Sequence, residues 1–375
     1  MKTVSIWILG TVLFLFMAGM VLGQENDTSR IEIEADIVGV IQSSPGYTGL
    51  SGDTDGATEA SALFDIGLTA RPWESGTAYV RFKAGLGDGI DELIPTLSIF
   101  NTAAIGSDAR LDEIWYEHAF GEKVRLRGGK LDLTMAFDTN AVANDEYNQF
   151  LSGGFVNNLA VEFPDDTGLG AILWISPNTL FDIGFGFADA TGGWDDVFDG
   201  TFSIAEVGIK PEIAGRQGNY RVYGWHNGSD HYNVTTYSAD DETNYGFGLS
   251  ADQEIAEGVT LFARYGRQRG SVSMIEQAWS TGLGISGKFL GREGDTLGLA
   301  YGQAITGKDW KSINSEFSWD LGNEHRMEIY YNIKTSNYLN VSPHLQWTKN
   351  PIGDNGSGSA WAFGVRAHLN LSRGW

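Results

Sequence analysis

The sequence predicts an all-β protein, a transmembrane antiparallel β-barrel of about 16 strands with short periplasmic turns and long external loops. Three observations predict it. Apolar and polar residues alternate along most of the chain, short and long connections alternate between those segments, and no apolar run of membrane-helix length follows residue 23. Bacterial single-chain barrels have an even number of strands, so about 18 strands stay open as an alternative.

The N-terminus has the layout of a secretory signal peptide. Lys2 precedes an apolar run at 6–22, and Gly23 stands before the expected cleavage point at Gln24. A retained membrane anchor is the alternative, because the run is almost long enough to span a bilayer. We therefore expect residues 1–23 to be a signal peptide and residues 24–375 to form a single barrel domain.

Composition narrows the classes of partner. The chain carries 25 basic and 48 acidic residues, a formal net charge of −23, which argues against a nucleic-acid partner. It has no cysteine, so disulfide frameworks and thiol chemistry are excluded. No linker or low-complexity tract divides it, and it therefore reads as one domain.

Strict alternation marks the strands. In 30–43 the odd positions, such as Ile31 and Ile37, are apolar or small, whereas Glu32, Glu34 and Asp36 alternate with them. Seventeen segments alternate in this way, and the weakest, 157–164, is assigned to the preceding loop to leave an even number. The sixteen predicted strands are 30–43, 60–71, 77–86, 111–120, 123–132, 169–176, 179–189, 201–211, 219–226, 244–253, 258–268, 277–288, 294–303, 325–334, 338–347 and 360–375.

The connections support a membrane barrel over a soluble sandwich. Short ones, such as 121–122 and 254–257, alternate with longer ones rich in Gly, Asp and Asn. The longest predicted connection, 133–168, follows the fifth strand, where general porins fold a loop inward. In the last strand, Phe363 and Val365 share the parity of the terminal Trp375. This parity predicts the lipid face.

One nucleotide-binding pattern is present. Residues 282–287 match G-x-G-x-x-G, but the match lies inside an alternating strand with no helix after it. Glycines in a strand more often allow a bend or a close backbone approach. Neither G-x-S-x-G nor H-E-x-x-H occurs, so the sequence offers no catalytic motif.

Charges on the opposite parity indicate a water-filled bore. A solidly packed lumen would not need so many of them. Trp225 shares the parity of Arg221, which suggests an aromatic platform beside a guanidinium for a sugar ring. The alternative is a lumen plugged by a loop, with its charges paired. The basic residues on this parity include Arg81, Lys83, Arg125, Arg127 and Arg221.

Two blocks resemble the carbohydrate-selective porin family OprB. The first carries Gly129, Lys130, Asp132, Phe137, Asp138, Asn140, Ala143, Asn144, Asp145, Gln149, Phe150 and Leu151; the second carries Ser342, Pro343, His344, Leu345 and Gln346. Residues 360–371 are similar to the family's closing strand. The resemblance implies a 16-stranded monosaccharide porin, with a cation-lined constriction, inward-folded loops and no enzyme activity. His344, where the family has aspartate, is a departure that concerns sugar selectivity.

We expect the constriction to be gated by the longest loop. Arg125 and Arg127 lie on the strand that feeds it, and attraction to Asp138 and Asp145 would draw the loop into the bore. The alternative is that both arginines balance wall acids such as Glu32 and Glu34. The candidate substrate-binding and constriction residues are Arg81, Lys83, Arg125, Arg127, Lys130, Asp138, Asp145, Arg221 and Trp225.

The sequence therefore predicts an outer-membrane porin for passive diffusion of small polar solutes, with monosaccharides preferred. Its partners would be small sugars and outer-membrane lipid, with a homotrimer as the assembly considered. No cofactor or metal is expected. An outer-membrane barrel enzyme and an adhesin without channel activity are the alternatives.

Overall fold

The computed structural model describes residues 30–49, 52–164, 167–192, 197–236 and 242–374. Within these ranges, sixteen antiparallel strands form a barrel wall. In chain order they are β1 (Ile31–Ser44), β2 (Ala57–Trp73), β3 (Gly76–Leu86), β4 (Ala109–Phe120), β5 (Val124–Leu131), β6 (Gly168–Ile175), β7 (Phe181–Asp189), β8 (Thr201–Ile209), β9 (Arg216–His231), β10 (Glu242–Ala256), β11 (Val259–Gln268), β12 (Ile275–Ser286), β13 (Thr296–Thr306), β14 (Glu324–Lys334), β15 (Leu339–Lys349) and β16 (Ser359–Gly374).

The barrel is closed by its first strand. β1 pairs with β2 and also with β16, so that Ile37 lies opposite both Phe64 and Leu369. Every other wall strand pairs with its neighbours in sequence. The predicted sixteen strands are confirmed, and in the described chain residues 157–164 form no strand. Outside the wall ladder, Thr48–Gly49 pairs with Gly52–Asp53, and Glu212–Ile213 extends the turn before β9.

Short and long connections alternate around most of the wall as predicted, although 269–274, predicted to be a long connection, has fewer residues than 287–295, predicted to be a short one. The longest, residues 132–167, is the third loop; the second loop is 87–108. Among the described residues, two helices lie in the connections: α1 (Gly153–Val156), a single turn within the third loop, and α2 (Lys308–Ser315). Single 3₁₀ turns lie at Gly89–Glu92, Gly287–Leu290 and Pro351–Gly353. In the described ranges no helix has the length and apolarity that crossing a membrane requires.

The two faces of the wall differ as the alternation predicts. On β16, Phe363 is 54% exposed and Val365 49%, whereas Arg366 and His368 are buried. The apolar positions therefore face lipid, and the polar positions face the lumen. The predicted signal peptide, residues 1–23, and the terminal Trp375 lie outside the described residues.

The G-x-G-x-x-G stretch is part of the wall. It continues β12 through Ser286 into a 3₁₀ turn, with no helix of the kind a dinucleotide site needs. A Cβ on Gly284 would lie 2.8 Å from Cγ1 of Val142, in the third loop. This glycine therefore lets the loop approach the wall closely.

The hydrophobic core lies inside the barrel, between the third loop and the wall. Phe150 and Phe155 of this loop pack on Phe262 and Tyr330 of the wall. Phe137, near the start of the loop, packs on a second apolar group that includes Ile172, Ile204, Tyr223 and Trp225. Through these contacts the third loop covers inward residues of β6, β8, β9, β11 and β14.

Candidate functional site: the lumen and its constriction

The third loop is fastened to the wall by one buried arginine. Arg264 of β11 donates from Nη1 to the carbonyls of Ala143 and Phe155, each at 2.6 Å, and from Nη2 to the carbonyl of Asp138 at 2.7 Å. Its Nε also donates to Oδ1 of Asp138 at 3.1 Å. Asp138 has a φ of 56°, a strained conformation for a side chain other than glycine. Because the guanidinium joins Asp138, Ala143 and Phe155, which are far apart along the loop, it sets the loop's path.

Further along the loop, β14 and β16 hold its middle. The carboxylate of Glu328 accepts from the backbone N–H groups of Leu151 and Ser152 at 2.8 and 2.9 Å. Arg366 donates to the carbonyls of Glu146 and Gln149, both at 2.8 Å. These side chains pair with the loop backbone, which would otherwise be buried without partners.

The tip of the third loop is attached through a histidine. Asn148 donates from Nδ2 to Asp145 at 3.0 Å, and its Oδ1 accepts from Asn340. Nδ1 of His368 lies 2.9 Å from that Oδ1, and Nε2 lies 2.8 Å from Oδ1 of Asp36. The imidazole of His368 therefore connects the tip of the third loop to Asp36 of β1.

The second loop adds a similar attachment. Glu324 of β14 accepts from the N–H groups of Leu97 and Ser98 at 2.8 and 2.9 Å. Arg326 donates to the carbonyl of Ile99 at 2.9 Å and lies over the ring of Phe100. We call the inward faces of β11–β16, with the two loops that cover them, the packed side.

Opposite the packed side, the inward faces of β3–β5 form the open side. Arg81 of β3 lies 2.7 Å from Asp112, 3.1 Å from Glu113 and 3.4 Å from Asp132. Lys83 lies 3.5 Å from the same Asp112. The basic groups that the family resemblance implies are therefore present, but carboxylates surround them.

A second charged cluster lies beside it on β4 and β5. Arg127 approaches Glu117 at 3.0 Å, and Arg125 approaches it at 3.6 Å. The guanidinium of Arg127 also lies 3.9 Å above the ring of Trp115, and this ring packs against Tyr79 with a centroid distance of 5.1 Å. With side-chain exposures of 49% for Arg125 and 25% for Arg127, both arginines meet lumenal water.

Arg221 lies at a neighbouring pocket of about 250 Å³, together with Arg125, Lys210 and Thr139 of the third loop. It approaches Asp252 at 3.3 Å and Glu206 at 3.9 Å. Thus Arg81, Lys83, Arg125, Arg127 and Arg221 all face the lumen, as the parity predicts.

The expected gate contacts are wrong. Arg125 and Arg127 pair with Glu117 and do not reach Asp138, which Arg264 binds from the opposite wall. The alternative acids, Glu32 and Glu34, are not their partners either, because Glu32 pairs with Arg71. Asp145 faces its own loop, where its carboxylate accepts from the N–H of Tyr147 at 2.8 Å.

Three of the candidate residues support the wall instead of meeting solute. Trp225 is 4% exposed and stacks on Phe202 beneath the third loop, so the aromatic platform expected beside Arg221 is wrong. Asp138 is fully buried. Lys130 is 7% exposed and donates to the carbonyl of Leu111 at 3.0 Å, where β3 and β4 change register.

Several lumenal residues escaped the sequence analysis. Asp112 and Glu113 are adjacent, yet both reach Arg81, because a β-bulge interrupts the pairing of β3 and β4. Strict alternation cannot reveal a bulge. Glu117 and Trp115 could have been found, since they share one parity against the exposed Ile114 and Tyr116.

Two carboxyl groups of the third loop have altered acidity. Burial raises the pKa of Asp138, although the Arg264 guanidinium opposes the change. Burial also raises the pKa of Glu146, to about 6, with Lys83 acting in the opposite direction. Glu146 therefore carries its charge at neutral pH and loses it under mildly acidic conditions.

Comparison with known sequences identifies a protein family and individual related proteins. The family described as carbohydrate-selective porin, OprB family, matches residues 51–371. Porin AaxA of Chlamydia pneumoniae is 25% identical over 277 residues, which cover 70% of this chain and 59% of that protein. The chain therefore spans about three fifths of the length of this curated relative.

Comparison of structures agrees with the fold. The high-pH structure of Pseudomonas putida OprB is similar with a TM-score of 0.78 and 16% identity, over 91% of this chain and 94% of that one. The outer membrane channel DcaP of Acinetobacter baumannii has a TM-score of 0.55 and 10% identity, over 93% and 99%. Family and barrel together indicate the outer membrane. Since the family match extends over most of the sequence, the chain belongs to the carbohydrate-selective porin, OprB family.

Proposed function

We propose that the protein is an outer-membrane porin through which small polar solutes, monosaccharides above all, diffuse along the open side. The paired charges there carry the proposal. Arg81 with Asp112 and Arg127 with Glu117 each offer hydrogen-bond donors and acceptors in one place. Sugar hydroxyls both donate and accept, so they can exchange water for such pairs.

The aromatic stack beside these pairs supports a sugar ring as the solute. Tyr79, Trp115 and Arg127 form one continuous surface, in which the guanidinium covers the indole. A pyranose has hydroxyl groups at its edge and C–H groups on its faces. Hydrogen bonds to Arg127 and apolar contact with the stack can therefore act on the same solute.

We also propose that residues 1–23 are cleaved from the mature protein and that the protein assembles as a homotrimer. N-terminal sequencing of the mature protein should begin at Gln24, and cross-linking in the membrane should yield a three-chain product. The proposed diffusion requires no catalytic group, cofactor or metal.

Liposome swelling tests the transport proposal. Liposomes containing the purified barrel should swell faster in a pentose or hexose than in a disaccharide, because the third loop narrows the lumen. Arg127→Ala should alter the sugar rates, whereas Arg267→Ala, at a half-exposed pair with Glu276, should not. Sugar rates equal to those of protein-free liposomes would contradict the proposal and favour an adhesin or an enzyme barrel.

A further inference from the structure

A pocket of about 200 Å³ lies between β3 and the third loop. Arg81 and Lys83 line it from the wall, and the loop lines it with Asp132, Asp145 and Glu146. Two basic groups thus face three acidic ones. Any solute that passes along the open side close to β3 meets this set of charges.

The basic groups of the pocket are already engaged. Arg81 contacts three carboxylates, and Lys83 lies near Asp112. Of the loop acids, Asp132 pairs with Arg81, and Asp145 accepts from the N–H of Tyr147. The pocket therefore has little positive charge to offer an anionic solute.

Glu146 differs from its neighbours. Within the described residues no basic side chain forms an ion pair with its carboxylate: Lys83 acts on it only through longer-range attraction, and Arg366 bonds its backbone carbonyl. Its partial burial strengthens any charge–charge contact made there, because little water screens it. An incoming cation would supply the partner that the protein does not.

A neutral donor completes the pocket. Nδ2 of Asn157 is buried there without a hydrogen-bond acceptor. An amide N–H without a partner costs free energy, which a solute oxygen could recover. The pocket thus combines an unpaired carboxylate for a cationic group with an unpaired donor for a hydroxyl group.

We propose that this pocket is a subsite for amino sugars, with the protonated amine at Glu146 and a ring hydroxyl at Asn157. This inference rests on the proposed sugar permeation and names a preferred class within it. Ammonium-to-carboxylate hydrogen bonds are the strong, charge-assisted kind. A neutral sugar gains only the hydroxyl contacts, and an acidic sugar is repelled by the loop carboxylates.

Block of ionic current tests the inference in planar bilayers at pH 7.5. D-glucosamine should half-block the open channel of the purified barrel at a concentration about tenfold lower than D-glucose does, the ratio expected of one charge-assisted hydrogen bond. N-acetyl-D-glucosamine, which lacks the charge, should behave like glucose. Equal block by glucosamine and its N-acetyl form in the wild-type channel would overturn the inference without any variant.

A variant then assigns the effect to a residue. Glu146→Gln should bring glucosamine and glucose to within about twofold of each other and leave glucose block unchanged. Glu257→Gln, the same change at a side chain 72% exposed in a turn, should keep the wild-type preference. A preference that persists in Glu146→Gln would refute the assignment. Failure of every sugar to block or permeate would instead refute the proposed function.

Discussion

The two sides of the lumen use arginine differently. On the packed side, Arg264 and Arg366 are buried and donate mainly to backbone carbonyls of the third loop. On the open side, Arg125 and Arg127 approach Glu117 and keep side-chain exposures of 49% and 25%. Both sets lie on the same parity of their strands. The path of the loops therefore decides whether an inward arginine supports the fold or meets solute.

The energetic consequence is that equal substitutions should have unequal costs. A buried charge left without its partner cannot be hydrated, whereas an exposed ion pair contributes little because water replaces it. Substitutions on the packed side should thus reduce stability and disturb the channel together. Substitutions at the exposed ion pairs of the open side should change transport alone.

The largest effect is expected at Arg264. Arg264→Met removes every hydrogen bond by which Arg264 holds the third loop. It also leaves the carboxylate of Asp138 buried without its ion-pair partner. We expect a loss of about 3–5 kcal/mol in the free energy of unfolding, measured by denaturant titration in detergent or lipid. The channel current should also become noisy as the third loop moves.

Arg127→Met is the matched control for Arg264→Met. It breaks a partly exposed ion pair with Glu117 and should cost about 0.2–1 kcal/mol. Similar losses at Arg127 and Arg264 would remove the distinction between the two sides.

The next effect concerns the lipid face. Val365→Arg places a charge at an exposed position of β16 and should cost about 2–4 kcal/mol if that position lies near the bilayer midplane. Asn370→Arg, on the inward parity, should be nearly neutral, since Asn370 donates to Asp36 and arginine can do the same. Equal damage at both positions would argue against a lipid-facing wall.

The attachment of the loop tip should give a smaller effect. His368→Leu removes the hydrogen bonds to Asp36 and Asn148, and we expect a cost of about 1.5–3 kcal/mol together with more frequent current fluctuations. Parity alone suggests that an inward histidine tolerates substitution because it faces water. Because His368 is buried, we expect that it does not tolerate substitution. A silent His368→Leu variant would mean that the tip is held by other contacts.

The smallest effect is on ion preference. Glu146, with its pKa raised to about 6, is ionised at pH 7.5 and protonated at pH 5. Preference for cations, measured as the reversal potential in a salt gradient, should therefore decrease on acidification. The other titratable groups that line the pocket are Arg81, Lys83, Asp132, Asp145 and Tyr147. Glu146→Gln should flatten the pH dependence, and an unchanged curve would exclude Glu146 as its source.

The wall was predictable because period-two alternation follows directly from which face meets lipid. All sixteen strands and the inward parity of Arg81, Arg127 and Arg221 were found in this way. Which inward side chains meet solute could not be predicted in this way. Which wall residues the third loop covers depends on long-range bonds such as Arg264 to Asp138, and strand periodicity does not encode them. For this reason the sequence does not reveal that Trp225 is buried beneath the third loop. It does not reveal the inward position of Asp112 either, because a bulge shifts the register.

Cysteine labelling tests most directly whether solutes pass along the open side of the lumen, since the chain has no cysteine of its own. Arg127→Cys lies on the open side, and Ser280→Cys replaces a buried inward residue of β12 on the packed side. Each variant would be exposed to a charged thiol reagent during single-channel recording. We predict rapid loss of current at Arg127→Cys and none at Ser280→Cys. Loss of current at Ser280→Cys, with Arg127→Cys unaffected, would contradict the account.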